Sequence, residues 1–208
     1  MLVLHHSPMT CSLTALLALR ESGLDHVVKL VRIAAGENRS PEYLAINPFG
    51  QVPTLTTPDG ELTELIAILV YVADLAPGKH LLPAAGTFDR VIALSRLSYF
   101  STTLHSAYRP VIRPKVGCDN EVASQGAAAH LNKVLSDVNE LMTGRAFVMT
   151  DFSLCDIFLM VLLSWRKAPM LAGLLGEFPE LDRFQSTMLA RDRYAETFAE
   201  EMSMLFGS

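Results

Sequence analysis

The chain has 208 residues, half of them hydrophobic, and a formal net charge of −5. This length suits one large domain or two small ones, and no run of about 18 apolar residues is present that would span a membrane. The lack of a basic block argues against nucleic acid as a partner. Three cysteines, a small and odd number, argue against a disulfide framework and predict a cytoplasmic protein.

The first 76 residues alternate between strand-like and helix-like patterns. In chain order they predict a strand in MLVLHHS, a helix in CSLTALLALRESGL that ends at Gly23, a strand in HVVKLVRI, a helical turn in SPEYLAINPFG, a hairpin in QVPTLTTPDGELTEL and a helix in TELIAILVYVADLAP. The order β-α-β-α-β-β-α is that of a thioredoxin-like domain. We therefore expect an α/β domain over residues 1–76.

The rest of the chain predicts helices. Residues 77–87 are rich in Pro, Gly and Ala and predict a linker, and residues 88–208 predict an all-helical domain. The helical patterns cover about residues 87–108 (ended by Pro110 and Pro114), 121–142, 154–167, 169–175 and 179–189, before a C-terminal segment. Ser153 and Asp156 have the spacing of a capping box before the apolar run IFLMVLLSW, which predicts a buried helix.

Three positions, Cys11, Pro53 and Glu64, are chemically informative in themselves. Cys11 follows Thr10, a predicted N-cap, so its sulfur would lie in a first helical turn, where the helix dipole favours a thiolate by about 0.3–1 kcal/mol. Thr14 stands where a Cys-x-x-Cys dithiol has its second cysteine, which argues against thioredoxin activity. Pro53 interrupts a strand pattern, and Glu64 is placed as a first-turn acid.

Several segments resemble one family over essentially the whole chain. NPFGQVPTL and LTELIAILVYVAD, at the right distance, resemble a cytosolic glutathione transferase, as does the Ser153–Asp156 box at the start of a core helix. SPMTCSLTALLALRESGL and LHSAYRPVIRP resemble the bacterial beta-type branch, whose site carries a cysteine. The resemblance implies the glutathione transferase fold, in which a thioredoxin-like domain precedes a helical-bundle domain, and it implies a homodimer.

The resemblance also implies a glutathione site in the first domain. Val52 and Pro53 would be joined by a cis bond, and the backbone of Val52, next to Gln51, would pair with the tripeptide as an added strand. Glu64 and the backbone amide of Leu65, at a helix start, would bind its γ-glutamyl end. Relatives often have a serine in place of Leu65, so one hydrogen bond worth about 0.5–1.5 kcal/mol would be missing.

Cys11 and His105 are the catalytic residues that the resemblance implies. Cys11 would donate a weak hydrogen bond to the glutathione sulfur or form a mixed disulfide with it. The hydroxyls of Ser7, Thr10 and Ser12 are alternative donors, and the sequence leaves this choice open. His105 would accept the thiol proton when neutral or stabilise the thiolate when cationic.

The second domain would supply the electrophile pocket, with Tyr108 and Trp165 as its walls; core filling is the alternative for both. The main hypothesis is conjugation of glutathione, as co-substrate, to small hydrophobic electrophiles. The alternatives are a thiol–disulfide reductase acting through the cysteine, and a non-catalytic binding protein, which Leu65 and Ser98 favour because relatives often have Ser and Asn there. Adjacent His5 and His6 would point to opposite faces of a strand, so we expect no metal.

Overall fold

The computed structural model describes residues 1–112 and 121–206, and the chain divides into two compact units, Met1–Arg90 with Arg193–Ser208, and Val91–Asp192. The strands are β1 (Leu2–His6), β2 (His26–Leu30), β3 (Thr54–Thr57) and β4 (Gly60–Leu62). The helices are α1 (Ser12–Ser22), α2 (Pro41–Ile46), α3 (Leu65–Leu75), α4 (Phe88–Tyr99), α5 (His105–Ile112), α6 (Glu121–Leu141), α7 (Leu154–Ser164), α8 (Pro179–Leu189) and α9 (Tyr194–Phe206).

The first unit is built on a four-stranded sheet with the order β2-β1-β3-β4. β1 pairs parallel with β2 and antiparallel with β3, and β3 and β4 form the predicted antiparallel hairpin. α1 packs against α3, and the fully buried side chains include Leu4, Leu13, Leu55 and Ile68, each stabilising the fold by roughly 1.5–3 kcal/mol. The predicted element order of a thioredoxin-like domain is confirmed.

The two ends of α1 show how local chemistry sets its limits. At the C-terminus, Gly23 has φ 71° and its N–H bonds to the Arg20 carbonyl oxygen at 3.3 Å, so the predicted stop is confirmed. At the N-terminus, the predicted N-cap at Thr10 is wrong by one residue, because Cys11 occupies that position without a capping bond from its side chain. The Thr10 hydroxyl nevertheless accepts from the Ser12 N–H at 3.3 Å, as an N-cap side chain does, and it donates to the Ser7 carbonyl oxygen at 2.8 Å.

The second unit is helical. α4 and α5 are joined by a five-residue π-helical segment, Phe100–Leu104. α7 is buried from Leu154 to Leu163, which confirms the buried helix expected from its apolar run. Among the helices in the described part of the chain, none has the length and hydropathy needed to cross a membrane.

Two helix predictions in this unit need correction. Pro110 does not end the helix, since α5 continues to Ile112. Proline has no N–H to donate to the Ser106 carbonyl oxygen, but both residues are exposed, so that oxygen can bond to water. Pro114 lies outside the described residues. The helix expected over 169–175 is only a 3₁₀ turn at Pro169–Leu171.

The predicted capping box at the start of α7 is confirmed. The Ser153 hydroxyl accepts from the Cys155 N–H at 3.3 Å, and the Asp156 carboxylate accepts from the Ser153 N–H at 2.8 Å. Asp156 also accepts from the Val148 N–H at 2.7 Å. The carboxylate therefore joins the helix start to the segment that precedes it.

Burial gives Asp156 a distinctive pH dependence. Desolvation raises the pKa of its carboxyl from 3.8 to about 6, although the N–H and O–H groups around it favour the charged form. Because the folded-state pKa lies above the unfolded one, protonation of Asp156 adds to the stability below about pH 4. This added part, at most about 3 kcal/mol, is lost as the pH rises through about 6, while the bonds that the carboxylate accepts remain. We expect the unfolding free energy of wild type, measured in urea and compared with Asp156→Asn, to fall over this range; a constant difference would contradict the raised pKa.

The sequence analysis placed the C-terminal segment in the helical domain, but in the structure this segment, α9, belongs to the first unit. Arg20 on α1 donates to the Thr197 hydroxyl at 2.5 Å, and Glu201 accepts from His6 at the end of β1. These bonds connect α9 to the strand and helix that flank Cys11.

Candidate functional site

The turn between β1 and α1 carries Cys11. Its half-buried thiol donates to the backbone carbonyl oxygen of Val52, with Sγ and O 3.5 Å apart. Cys11 precedes the first turn of α1, where N–H groups without intrahelical partners favour a negative charge. The structure thus brings together two of the predicted site residues that are 41 positions apart in the sequence.

The three alternative hydroxyls in this turn differ in accessibility. Ser7 and Ser12 are buried, and the Ser12 oxygen lies 2.7 Å from Nδ1 of His6. Thr10 is partly exposed, but its hydroxyl oxygen lies 2.7 Å from that of Ser12. The hydroxyls of Thr10 and Ser12 are therefore engaged within the turn, and the side chain of Ser7 is buried.

The other cysteines are not comparable with Cys11. Cys155 is fully buried and its thiol donates to the Ala93 carbonyl oxygen, with Sγ and O 3.4 Å apart. Burial raises the pKa of Cys155 to about 12, so this side chain stays a neutral, unreactive thiol. Cys118 lies outside the described residues.

The Val52–Pro53 bond is cis, as predicted. The segment before it is held from inside the unit, because the carbonyl oxygen of Gln51 accepts from the Tyr43 hydroxyl at 2.6 Å and from the Asn47 amide at 2.8 Å. In the described part of the chain, the N–H of Val52 has no hydrogen-bond partner. A fixed backbone with an available N–H can pair with an extended peptide.

Glu64 and Leu65 lie at the start of α3. Glu64 is exposed and has φ 66° and ψ 117°, a strained conformation for a residue with a side chain. Leu65 is only 8% exposed, so its side chain packs inward and only its backbone remains for a ligand. The first N–H groups of α3 have no intrahelical partners, and this arrangement favours a carboxylate.

The predicted residues of the second unit lie together. The ring centroids of His105 and Trp165 are 5.2 Å apart, and those of Tyr108 and Trp165 are 5.6 Å apart. His105 and Trp165 are partly exposed. Tyr108 is fully buried, its hydroxyl has no hydrogen-bond partner among the described residues, and desolvation raises the pKa of its phenol. Tyr108 therefore supports Trp165 from within the unit and has no exposed surface for a ligand.

A cavity of about 310 Å³ lies elsewhere in the second unit. It is lined by Arg96, Tyr99, Asp137, Val138, Glu140 and Leu141. No predicted site residue lines it, and its mixed charges select no ligand chemistry.

One group of contacts was missed by sequence reasoning. His6 lies between Ser12 and Glu201, and Glu201 also accepts from the Met9 N–H at 2.9 Å. His5 points the other way, with its Nε2 3.0 Å from the Thr56 hydroxyl oxygen, so the predicted opposite orientation of the two histidines is confirmed. Within the described ranges, no group of three His, Cys, Asp or Glu side chains is placed to hold a metal ion.

Comparison with known proteins shows similarity across nearly the whole chain. The family model for the glutathione S-transferase N-terminal domain matches residues 8–75. Glutathione S-transferase GstA of Escherichia coli O157:H7 is 34% identical over 201 residues, covering 95% of this chain and 98% of the relative. The structure of a sphingomonad glutathione S-transferase complexed with glutathione is 33% identical, covers 96% of this chain and 98% of its own, and has a TM-score of 0.85. The structure of a bacterial beta-class glutathione S-transferase from Sphingomonas chungbukensis is 30% identical, covers 96% of this chain and 98% of its own, and has a TM-score of 0.84.

Proposed function

Because this chain belongs to the cytosolic glutathione transferases and is similar to their bacterial beta class, it is a transferase, and we propose that it conjugates the thiolate of glutathione to small hydrophobic electrophiles. The observation that carries this proposal is the contact of the Cys11 thiol with the Val52 carbonyl oxygen at 3.5 Å. It places a half-buried thiol at a helix start beside a backbone segment suited to a peptide ligand.

Glutathione would bind along Val52 and at the start of α3. The N–H and C=O of Val52 would pair with the backbone of the cysteinyl residue, as an added strand pairs with a sheet edge. Glu64 would bind the γ-glutamyl ammonium, and the N–H of Leu65 would bind its carboxylate. Support comes from the exposed position of Glu64 and from the sphingomonad relative, which is complexed with glutathione.

The protein's main task would be to ionise the glutathione thiol. A free thiol has a pKa of about 8.5, and lowering it by about two units takes roughly 2.7 kcal/mol. The dipole of α1 supplies about 0.3–1 kcal/mol, so hydrogen bonds to the thiolate, worth about 1.5–3 kcal/mol each, must supply the rest. Cys11 would donate one of them, since its thiol is partly accessible at the helix start, whereas Ser7 and Ser12 are buried and the Thr10 hydroxyl bonds within its turn.

His105 would be the partner of the glutathione thiol in proton transfer. As a neutral imidazole it would accept the thiol proton, and as imidazolium it would stabilise the thiolate. The sulfur then attacks the electrophilic carbon; with an aryl halide, a C–S bond forms, the halide leaves, and the proton passes from His105 to water. Trp165, next to His105, would contact the electrophile.

We further propose that the protein is a cytoplasmic homodimer. Analytical ultracentrifugation would test the oligomeric state.

Two variants test the assigned roles. We expect wild type to bind immobilised glutathione and to conjugate a chromogenic aryl halide. His105→Ala should lower kcat/KM by about 10²-fold, the usual loss for a proton-transfer group, while Cys11→Ala should lower it by at least about tenfold, the loss of one hydrogen bond to the thiolate. The control is His130→Ala on α6, which removes an exposed histidine and should leave kcat/KM unchanged.

Other outcomes would favour the other hypotheses. No retention and no turnover by wild type would contradict the transferase proposal and favour a non-catalytic role. Reduction of mixed glutathione disulfides by wild type that disappears in Cys11→Ala, with no aryl halide turnover by either protein, would favour thiol–disulfide reduction.

A further inference from the structure

The second unit holds two buried groups that can donate hydrogen bonds but have no acceptor. The Tyr108 hydroxyl, on a side chain that is 0% exposed, has no hydrogen-bond partner among the described residues. In the same part of the chain, Nε and Nη1 of Arg166 also have none, and the Arg166 side chain is only 12% exposed. Buried polar groups in folded proteins nearly always have a partner, so these exceptions indicate a water or an ion that completes the site.

The two groups belong to one region of the unit. Tyr108 packs edge to face on Trp165, with ring centroids 5.6 Å apart, and Arg166 directly follows Trp165 in the 3₁₀ turn at the end of α7. The positive charge of Arg166 opposes the rise that burial causes in the pKa of the Tyr108 phenol. The guanidinium therefore lies within electrostatic reach of this hydroxyl.

The Arg166 charge is only partly neutralised by its neighbours. Nη1 of Arg166 lies 2.9 Å from Oδ1 of Asp182, but its N–H is not aligned with that oxygen, and the Asp182 side chain is 59% exposed. Water screens an exposed carboxylate, so this pair stabilises less than a buried one. Cζ of Arg166 also lies 5.4 Å from the centroid of the Phe178 ring, which attracts a cation but supplies no acceptor oxygen. The region thus has an excess of donors and of positive charge.

We propose that the Tyr108 hydroxyl and the Arg166 guanidinium form a binding site for a small monovalent anion, with chloride or bromide as the ligand. A halide only accepts hydrogen bonds, which matches a phenol and a guanidinium that both have hydrogens to donate. A water molecule would also need acceptors for its own two hydrogens, and the rings of Trp165 and Phe178 offer none. Because the hydroxyl is enclosed, the site has no room for a larger anion such as the carboxylate of an aromatic acid.

Chloride should stabilise the protein beyond the general effect of salt. Urea unfolding at constant ionic strength compares sodium chloride with sodium gluconate, whose anion is too large for the site. At ten times its dissociation constant, chloride should raise the folding equilibrium constant about elevenfold. Trp165 is the single tryptophan of the chain and packs on Tyr108, so its fluorescence should follow chloride along a saturating curve that gives this constant. A linear response with no stabilisation over gluconate would overturn the proposal in favour of a buried water.

The principal variant is Tyr108→Phe, which removes only the hydroxyl. In gluconate it should be at least as stable as wild type, because phenylalanine leaves no buried hydroxyl without a partner. Its dissociation constant for chloride should be at least about tenfold higher, as expected when a hydrogen bond to a charged group is lost. A hydroxyl with a purely structural role would instead lower the stability equally in both salts, which would overturn the proposal. The matched control is Tyr99→Phe on α4, where the side chain is partly exposed, and it should leave chloride binding unchanged.

Arg166→Gln tests the positive charge. Its control is Lys167→Gln, the same change of charge at the adjacent, exposed residue. Only the Arg166 variant should lose saturable chloride binding, and an equal loss in both would overturn the proposal in favour of a general effect of charge.

Crystals grown in sodium bromide test the position of the ion directly. We expect an anomalous peak within hydrogen-bond distance of Oη of Tyr108 and Nε of Arg166. Solvent density there without an anomalous signal would overturn the proposal. None of these measurements involves glutathione, so they decide this inference whether or not the proposed function holds.

Discussion

Replacing Asp156 by alanine should lower the free energy of unfolding by about 3 kcal/mol or more. The carboxylate accepts from the Val148 N–H at 2.7 Å, the Ser153 N–H at 2.8 Å and the Ser153 hydroxyl at 3.1 Å. Asp156 is fully buried, so alanine leaves buried donors without partners, at a cost of about 1–3 kcal/mol for each unsatisfied group. Urea unfolding followed by circular dichroism measures the loss.

A nearby aspartate provides the control for this substitution. Asp151 is exposed, and its replacement by alanine should change the unfolding free energy by no more than about 0.5 kcal/mol. If Asp156→Ala were equally mild, water would have to reach the Val148 and Ser153 donors, and the capping box would contribute little. A large loss at Asp156 alone would show that the start of α7 depends on this carboxylate.

The capping box illustrates what a sequence alone can predict. Ser153 and Asp156 are three residues apart, and their bonds form within one helical turn, so residue type and spacing are sufficient information. The same holds for Gly23, whose freedom to adopt a positive φ suits a helix end. The hairpin between β3 and β4 was also predictable, because its turn residues are adjacent in the chain.

Features that depend on distant residues were less accessible. Only about 5–6% of X-Pro bonds are cis in folded proteins, so the residues alone favour a trans bond at Val52–Pro53. The cis bond was predicted only from the family resemblance. The contact of Glu201 with His6 joins residues 195 positions apart, and neither residue has a local pattern that names the other. The burial of Tyr108 likewise depends on how α5 packs, which its spacing from His105 does not determine.

The end of α5 is another feature that the local sequence did not predict. A proline is expected to end a helix because it lacks an N–H and its ring crowds the preceding turn. Pro110 is nevertheless inside α5, where it is exposed to water. The conformation at Pro110 depends on tertiary packing and on access to solvent, and the local sequence predicts neither. The roles assigned to Cys11 and His105 remain predictions until the variants are measured.

Replacing Gly50 by alanine should destabilise the first unit by about 3 kcal/mol and weaken glutathione binding. Gly50 has φ 61°, which costs a residue with a side chain about 1–2 kcal/mol. A Cβ there would also lie 2.6 Å from the Asn38 carbonyl oxygen and 2.9 Å from Nη1 of Arg39. The Asn38 amide donates to the Gly50 carbonyl oxygen at 2.8 Å, so the two segments are held together and the clash must move backbone.

The matched control is Gly36→Ala, which separates the clash from the backbone strain. Gly36 has φ 78° with no atom within 4 Å of an added Cβ, so it should show only the cost of the positive φ. Gln51 and Val52 directly follow Gly50, so only Gly50→Ala should displace the backbone that we propose pairs with glutathione. It should raise the dissociation constant of glutathione by about tenfold or more, as expected when a backbone hydrogen bond is lost. Equal effects of the two changes on affinity would mean that the Asn38 contact does not hold Val52 in place, and that the order of this segment comes from Tyr43 and Asn47 alone.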